Sequence, residues 1–137
     1  MRTVKLRQLC GSLVLGGFDG TALPSTFGER LRAGELGGAI VFARNLTPDL
    51  AQVAALTAAI ARCSPELPPI VSVDQEGGRV ARLKTGVVRV PPALVLGRRL
   101  DVETIERVGA ALDRGLAALG FSLDYAPVLD VHTNPAN

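Results

Sequence analysis

A regular exchange between short apolar runs and amphipathic stretches of helical spacing constrains this chain more than any other feature. Leu13 to Leu15 reads as a strand closed by Gly16 and Gly17, and Pro24 to Leu31 as a short helix opened by Ser25 or Thr26 and ended by Gly37 at the latest. Ala39-Ile40-Val41-Phe42 is a continuous apolar run, the pattern of a strand covered on both faces. Thr47 is placed to cap the next helix, with Pro48 in its first turn and Asp49 complementing the positive end of its dipole. Leu50, Val53, Leu56, Thr57 and Ile60 then fall on one face. Pro65, Pro68 and Pro69 forbid continuation, and Ile70-Val71-Ser72-Val73 makes a third buried strand. Val102, Ile105, Val108, Leu112, Leu116 and Leu119 form the cleanest helical stripe, although Gly109 and Gly115 lower its intrinsic propensity. Gly120 ends that helix, and Phe121 to Ala126 gives a fourth strand halted by Pro127.

Strand and helix thus alternate about three and a half times, and helical crossovers make the sheet parallel with right-handed connections. Two architectures share this pattern: a small open doubly wound sheet, or the first half of an eight-stranded barrel, which needs about 250 residues. Periodicity does not choose between them. The 137 residues suit a single domain, and an apolar content near one half makes disorder a poor description.

Charge and cysteine content narrow the function classes. A net charge of +2 is too small to imply a polyanionic partner. Arg79, Arg82, Lys84 and Arg89 cluster without interleaved aromatics, which argues against nucleic-acid binding. Cys10 and Cys63 have no metal-ligand spacing and read as two buried thiols in a reducing compartment. Arg2, Lys5 and Arg7 precede an apolar stretch too short and glycine-broken for a secretory signal, and nothing approaches the length of a membrane span. The expectation is a cytoplasmic protein.

Chemistry in parallel α/β sheets gathers at the carboxyl ends of strands. Three such ends carry polar groups: Arg44-Asn45, Asp74-Gln75-Glu76 and Asp130. Asp74 directly follows a buried strand, Gly77-Gly78 permits a sharp turn, and Arg79 and Arg82 are close enough to return over the rim. A carboxylate accepts from two hydroxyls while a guanidinium donates a planar fork, so Asp74 with the guanidinium of Arg79 or Arg82 can hold a pyranose by its edge. The alternative is an ion pair of Asp74 with Arg79 or Arg82 that only pins the loop.

Asp74-Gln75-Glu76-Gly77-Gly78-Arg79-Val80-Ala81-Arg82 resembles the signature stretch of the bacterial β-N-acetylglucosaminidases of glycoside hydrolase family 3. Gly16 to Gly20, Gly37 to Asn45, Pro91-Pro92-Ala93 with Leu96-Gly97, and Ala126 to Val131 followed by Asn134-Pro135-Ala136-Asn137 resemble that family's other motifs in order. The resemblance implies the first half of a (β/α)8 TIM-type barrel, with residues 1–137 its N-terminal part. It implies that Asp74 and Arg82 contact a terminal N-acetylglucosamine, while Glu76, Arg79 and Asp130 shape the rim. Glu76 is not a position that the family uses for catalysis, and the lone His132 reads as a solvated loop residue.

The family reaction that the resemblance implies is retaining hydrolysis of terminal β-linked N-acetylglucosamine, typically from peptidoglycan fragments, in a recycling role, and it needs no metal and no cofactor. Retaining chemistry needs a nucleophilic carboxylate about 5 Å from a proton donor. In the family the resemblance points to, the nucleophile is an aspartate on a later strand and the donor a His–Asp pair in a Lys-His-Phe-Pro-Gly-His-Gly motif. A further substrate arginine lies in an Arg-Ser-Phe-Gly-like motif. None of these occurs here, so no residue of the chain is assigned a catalytic role and the expectation is an inactive part of an enzyme. Ile40, Phe42, Val71 and Val73 are then candidates for faces left without their opposite wall, with aggregation, homodimerisation through open barrel edges, or loose order as consequences. A non-catalytic carbohydrate-binding or interaction module is the competing function. A nucleotide-binding domain is disfavoured because the glycine pairs form neither a dinucleotide fingerprint nor a phosphate loop.

Overall fold

A computed structural model of the chain describes residues 6–64, 67–131 and 133–134. His132 and Pro65 lie outside them, as do Arg2, Lys5 and the final three positions. The elements run α1 (Leu6–Gly11), β1 (Leu15–Gly16), α2 (Ser25–Arg32), β2 (Gly38–Val41), a 3-10 turn at Ala43–Asn45, α3 (Leu50–Ala61), β3 (Ile70–Val73), β4 (Gln75–Gly77), β5 (Val80–Ala81), α4 (Ala93–Arg99), α5 (Val102–Ala118) and β6 (Leu123–Asp124).

Strands β1, β2, β3 and β6 form one parallel sheet in that order, with Val41 opposite Val73 and Val73 opposite Asp124. The order never reverses, so the sheet has no topological switch point. That separates a singly wound, barrel-type sheet from the doubly wound alternative. No closed barrel forms among the described residues, because the sheet stops at four strands.

Side chains alternate across the sheet. Ala39, Val41, Val71 and Val73 point into the core and are buried with Val53, Leu56 and Ile60 of α3 and Leu112 and Leu116 of α5. Val71 and Val73 are therefore not on an uncovered face, contrary to the sequence expectation. Ile40 and Phe42 are only half-buried, and Ile70 is exposed at the start of β3. The opposite face, bearing Ile40, Ile70 and Leu123, is the one without a covering layer of helices.

Several boundaries differ from the sequence reading. Leu13 is 85% exposed and the first strand begins only at Leu15, because pairing runs from Leu15 opposite Gly38 to Gly16 opposite Ala39. The cap of α2 is Pro24, without a side-chain hydrogen bond, rather than Ser25 or Thr26. The cap of α3 is Asp49, whose Oδ1 accepts from Ala51 N–H at 2.9 Å. Thr47 instead accepts from Asp49 N–H and donates to Gln52 Oε1. Only the second half of the α5 stripe is buried, for Val102 is 81% exposed and Ile105 and Val108 half-buried. Cys63 is buried as expected, whereas Cys10 is exposed on α1, a surface helix whose Leu6 and Leu9 are also exposed. The fourth strand contracts from Phe121–Ala126 to Leu123–Asp124, since Phe121 is already in the core. Helices α1 and α4 and the β4–β5 hairpin were not anticipated.

Candidate functional site

The carboxyl end of β3 leads through Asp74 straight into an antiparallel hairpin, β4–β5, with Gln75 opposite Ala81. Gly77 (φ +95°) and Gly78 (φ +60°) make its turn. A Cβ on Gly77 would come within 2.6 Å of the Pro91 carbonyl oxygen, and one on Gly78 within 2.6 Å of the Pro92 ring. Gly78 N–H also donates to Val90 O at 2.8 Å. The glycine pair and the proline pair, separate motifs in the sequence, are thus two sides of one close contact that only a residue without a side chain permits.

Gln75 organises the hairpin. Its side chain is buried, accepts from Leu83 N–H at 2.9 Å and donates to Leu83 O at 3.1 Å. This two-bond clamp satisfies both backbone groups of a buried residue. It also fixes the chain neighbours: Asp74 precedes Gln75, Arg82 precedes Leu83, and the clamp brings them side by side. Arg82 Nη2 then lies 3.0 Å from Asp74 Oδ2, with the two side chains 31% and 19% exposed. Arg82 Nε is buried without a hydrogen-bond partner among the described residues. An unpartnered N–H closed to solvent is a local cost that the packing around the pair bears.

The remaining sequence candidates lie elsewhere. Glu76 and Asp130 line an open groove of about 640 Å³ together with Pro92, Leu94, Arg98 and Val128, while neither Asp74 nor Arg82 lines it. The lining of this groove is mostly apolar. Arg79 is exposed and makes no ion pair among the described residues, so of the two arginines proposed for Asp74 only Arg82 reaches it. Arg44 turns away toward β1, where it pairs with Asp19 at 2.8 Å, donates to Phe18 O and lies 4.5 Å from the centre of the Phe42 ring. Fully buried Asn45 donates to Phe18 O and Gly20 O and accepts from Phe42 N–H, tying the loops after β1 and β2 together.

Sequence reasoning missed two residues here. Gln75 was read only as part of a polar rim triplet. Asp124, on β6, accepts from Gln75 N–H at 2.8 Å through Oδ1, while its Oδ2 is buried without a partner among the described residues. Burial is the main cause pushing its carboxyl above the ordinary aspartate range. The Gln75 N–H opposes that shift, and the negative charges of Asp113, Asp74 and Glu76 add to it. No group of three or more potential metal-binding side chains occurs among the described residues.

A singly wound parallel sheet with polar groups at its strand ends defines the barrel-forming class of α/β proteins. Within that class, residues 4–137 match the glycosyl hydrolase family 3 N-terminal domain, and the chain belongs to this family. It is 42% identical over 122 residues to a β-hexosaminidase of Pseudomonas aeruginosa, the match covering 88% of this chain and 36% of that protein. A β-hexosaminidase of Bordetella pertussis is 40% identical over 119 residues, covering 82% and 33% respectively. Among solved structures, a family 3 β-N-acetylglucosaminidase from Paenibacillus sp. superposes with a TM-score of 0.89 at 37% identity, covering 98% of this chain and 26% of that one. The NagZ protein of Neisseria gonorrhoeae, solved in complex with N-trifluoroacetyl-D-glucosamine, gives 0.73 at 34% identity over 86% of this chain and 36% of its own. The chain therefore spans about a third of the length of the curated relatives it matches.

Proposed function

We propose that this chain supplies one wall of an N-acetylglucosamine site in a β-N-acetylhexosaminidase of the retaining type, with Asp74 and Arg82 as the sugar-contacting groups. The partly exposed Asp74–Arg82 pair carries this reading, at the strand end where such barrels bind. Asp74 accepts from two ring hydroxyls and Arg82 donates to ligand oxygens, the pair's own attraction holding both in register before sugar arrives. Glu76 and Asp130 are proposed as rim residues through the separate groove that they line, and Arg79 as a rim residue from its exposed position on the hairpin. The relatives' names and the glucosamine analogue bound by the Neisseria protein support the substrate class. Peptidoglycan fragments in the cytoplasm are the proposed setting, and homodimerisation through open sheet edges the proposed association.

The nucleophile and proton donor are assigned to segments other than these 137 residues. Hydrolysis of an aryl β-N-acetylglucosaminide by the 137-residue chain is therefore expected to be undetectable. Turnover that disappears on mutating Asp74, in a preparation free of contaminating enzyme, would overturn that assignment. Binding is tested separately, by titrating N-acetylglucosamine against the chain and its Arg82→Ala variant. Saturable binding abolished in the variant supports the site, and equal responses from both proteins refute it.

A further inference from the structure

The ladder between β3 and β6 ends in a substitution of side chain for backbone. Ser122 N–H donates to Val71 O at 2.9 Å and Tyr125 N–H to Val73 O at 3.0 Å, three residues along the β6 segment against two along β3, so the ladder is irregular where it begins and in register at Val73 opposite Asp124. Continued in register from the Tyr125–Val73 bond, the ladder would send Gln75 N–H to the carbonyl of Tyr125. Instead, Gln75 N–H donates to Oδ1 of Asp124. The sheet thus stops at Val73, and the backbone peels away into β4 with Asp74 as the residue at the bend.

This termination is expensive. Asp124 Oδ2 is buried with no donor among the described residues, and the surrounding charged groups are adverse: Asp74 and Glu76 from the rim and Asp113 from α5. A buried carboxylate oxygen without a partner costs stability, and a neutral residue would avoid the charge repulsion. What the carboxylate provides in return is geometric. Gln75 is held from two directions, by Asp124 through its N–H and by Leu83 through its side chain, so the segment carrying Asp74 has no freedom to swing from Arg82.

We propose that Asp124 is the positioning residue of the sugar site, fixing through Gln75 N–H the direction in which Asp74 presents its carboxylate to Arg82 and to the ligand. The sugar-binding reading is needed for what Asp74 receives, but its orientation is measurable without sugar. Protonation of Asp124 weakens Oδ1 as an acceptor, so mild acid loosens the grip on Gln75.

The experiment uses dilute, isotope-labelled full chain, following the Gln75 amide, the Arg82 Nε–H and the Asp124 carboxyl carbon by NMR across pH. In the wild type, the Gln75 amide shift is expected to share the Asp124 midpoint, above the ordinary aspartate range. Asp124→Asn keeps an acceptor oxygen, and should abolish that inflection while leaving Gln75 amide exchange slow. Asp124→Ala should speed the exchange at least about tenfold, the loss of one hydrogen bond to a charged acceptor, and shift Arg82 Nε–H. A Gln75 amide blind to Asp124 titration, or unaltered exchange in Asp124→Ala, overturns the proposal. If Asp124→Ala does not fold, the titration comparison of wild type with Asp124→Asn decides alone. N-acetylglucosamine is then added: weaker binding by Asp124→Ala with recovery in Asp124→Asn supports the link to the site. No response to sugar in the wild type refutes the binding reading, while the Gln75 amide still decides the role of Asp124.

Discussion

Asp74 and Arg82 are eight positions apart in the sequence, and what unites them is a glutamine neither of them touches by side chain. Gln75 bonds both backbone groups of Leu83 from a buried position. Gln75→Ala removes two hydrogen bonds and leaves two buried backbone groups open, at an expected cost on the order of 3 kcal/mol in denaturant unfolding. The same variant should lose any N-acetylglucosamine binding that Arg82→Ala loses. Two other aspartates carry opposite pH signatures. Asp101 caps α5 by accepting from Thr104 N–H at 2.7 Å, which holds its carboxyl below the ordinary value. Its stabilisation is present above the unfolded-state pKa and fades as pH falls through the lowered folded value. The melting-temperature gap between wild type and Asp101→Ala is therefore full at neutral pH and closes in strong acid. Asp124 has a raised carboxyl pKa, so its contribution is present below the unfolded value and lost as pH rises through the folded one. Asp124→Asn is expected to melt at or above the wild-type temperature at neutral pH and to lose that advantage in the window just above the ordinary aspartate range.

Elements were legible where one residue pattern sufficed to define them. Gly38–Val41 and Ile70–Val73 are strands because their apolar runs are flanked by glycine or proline and covered by helices, and α3 and α5 followed from their stripes. Ends were less legible, since β1 and β6 are set by which backbone groups find ladder partners on a neighbouring strand. The hairpin escaped notice because Gln75-Glu76-Gly77 has no alternation to reveal a strand, and its stabilising clamp is made to backbone, which no side-chain pattern advertises. Of the site, the Asp74–Arg82 contact was legible and the acceptor on β6 was not, because Asp124 is a distant residue read only as part of a strand. The junction of α5 and β6 offers a test at this scale. Gly120 (φ +86°) follows α5, and a Cβ there would meet Thr57 Oγ1 at 2.6 Å, the hydroxyl that donates to Leu119 O. Gly120→Ala combines backbone strain with displacement of a buried hydrogen bond, and should destabilise by more than about 1 kcal/mol in thermal melts. Asp49→Ala, which removes the α3 cap without touching the core, is expected to cost about 1 kcal/mol.

At the scale of the molecule, the four-strand sheet is finished on one side and open on the other. The helix-facing side has Val41, Val73, Val53 and Ile60 with no exposure at all, enough to define a unique register for β2 on β3. The opposite side offers Ile40, Ile70 and Leu123 without a covering layer, and β1 and β6 each have one edge unpaired among the described residues. Beyond β6 the apolar surface continues, with Leu129 84% and Val131 81% exposed. Unpaired parallel edges beside uncovered apolar surface are an association hazard that a closed barrel removes. Sedimentation velocity of the 137-residue chain is therefore expected to show weight-average mass rising with concentration. Leu129→Glu with Val131→Glu should lower that rise, because two charges then oppose burial of the patch, while leaving helical content unchanged. A concentration-independent monomer in the wild type would mean that the open face is covered from within the chain, and the homodimer proposal would fall with it. The Asp74–Arg82 site would be unaffected by that outcome, since the Gln75–Leu83 clamp and the Asp124 acceptor that hold it use neither edge strand β1 nor the exposed segment after Asp124.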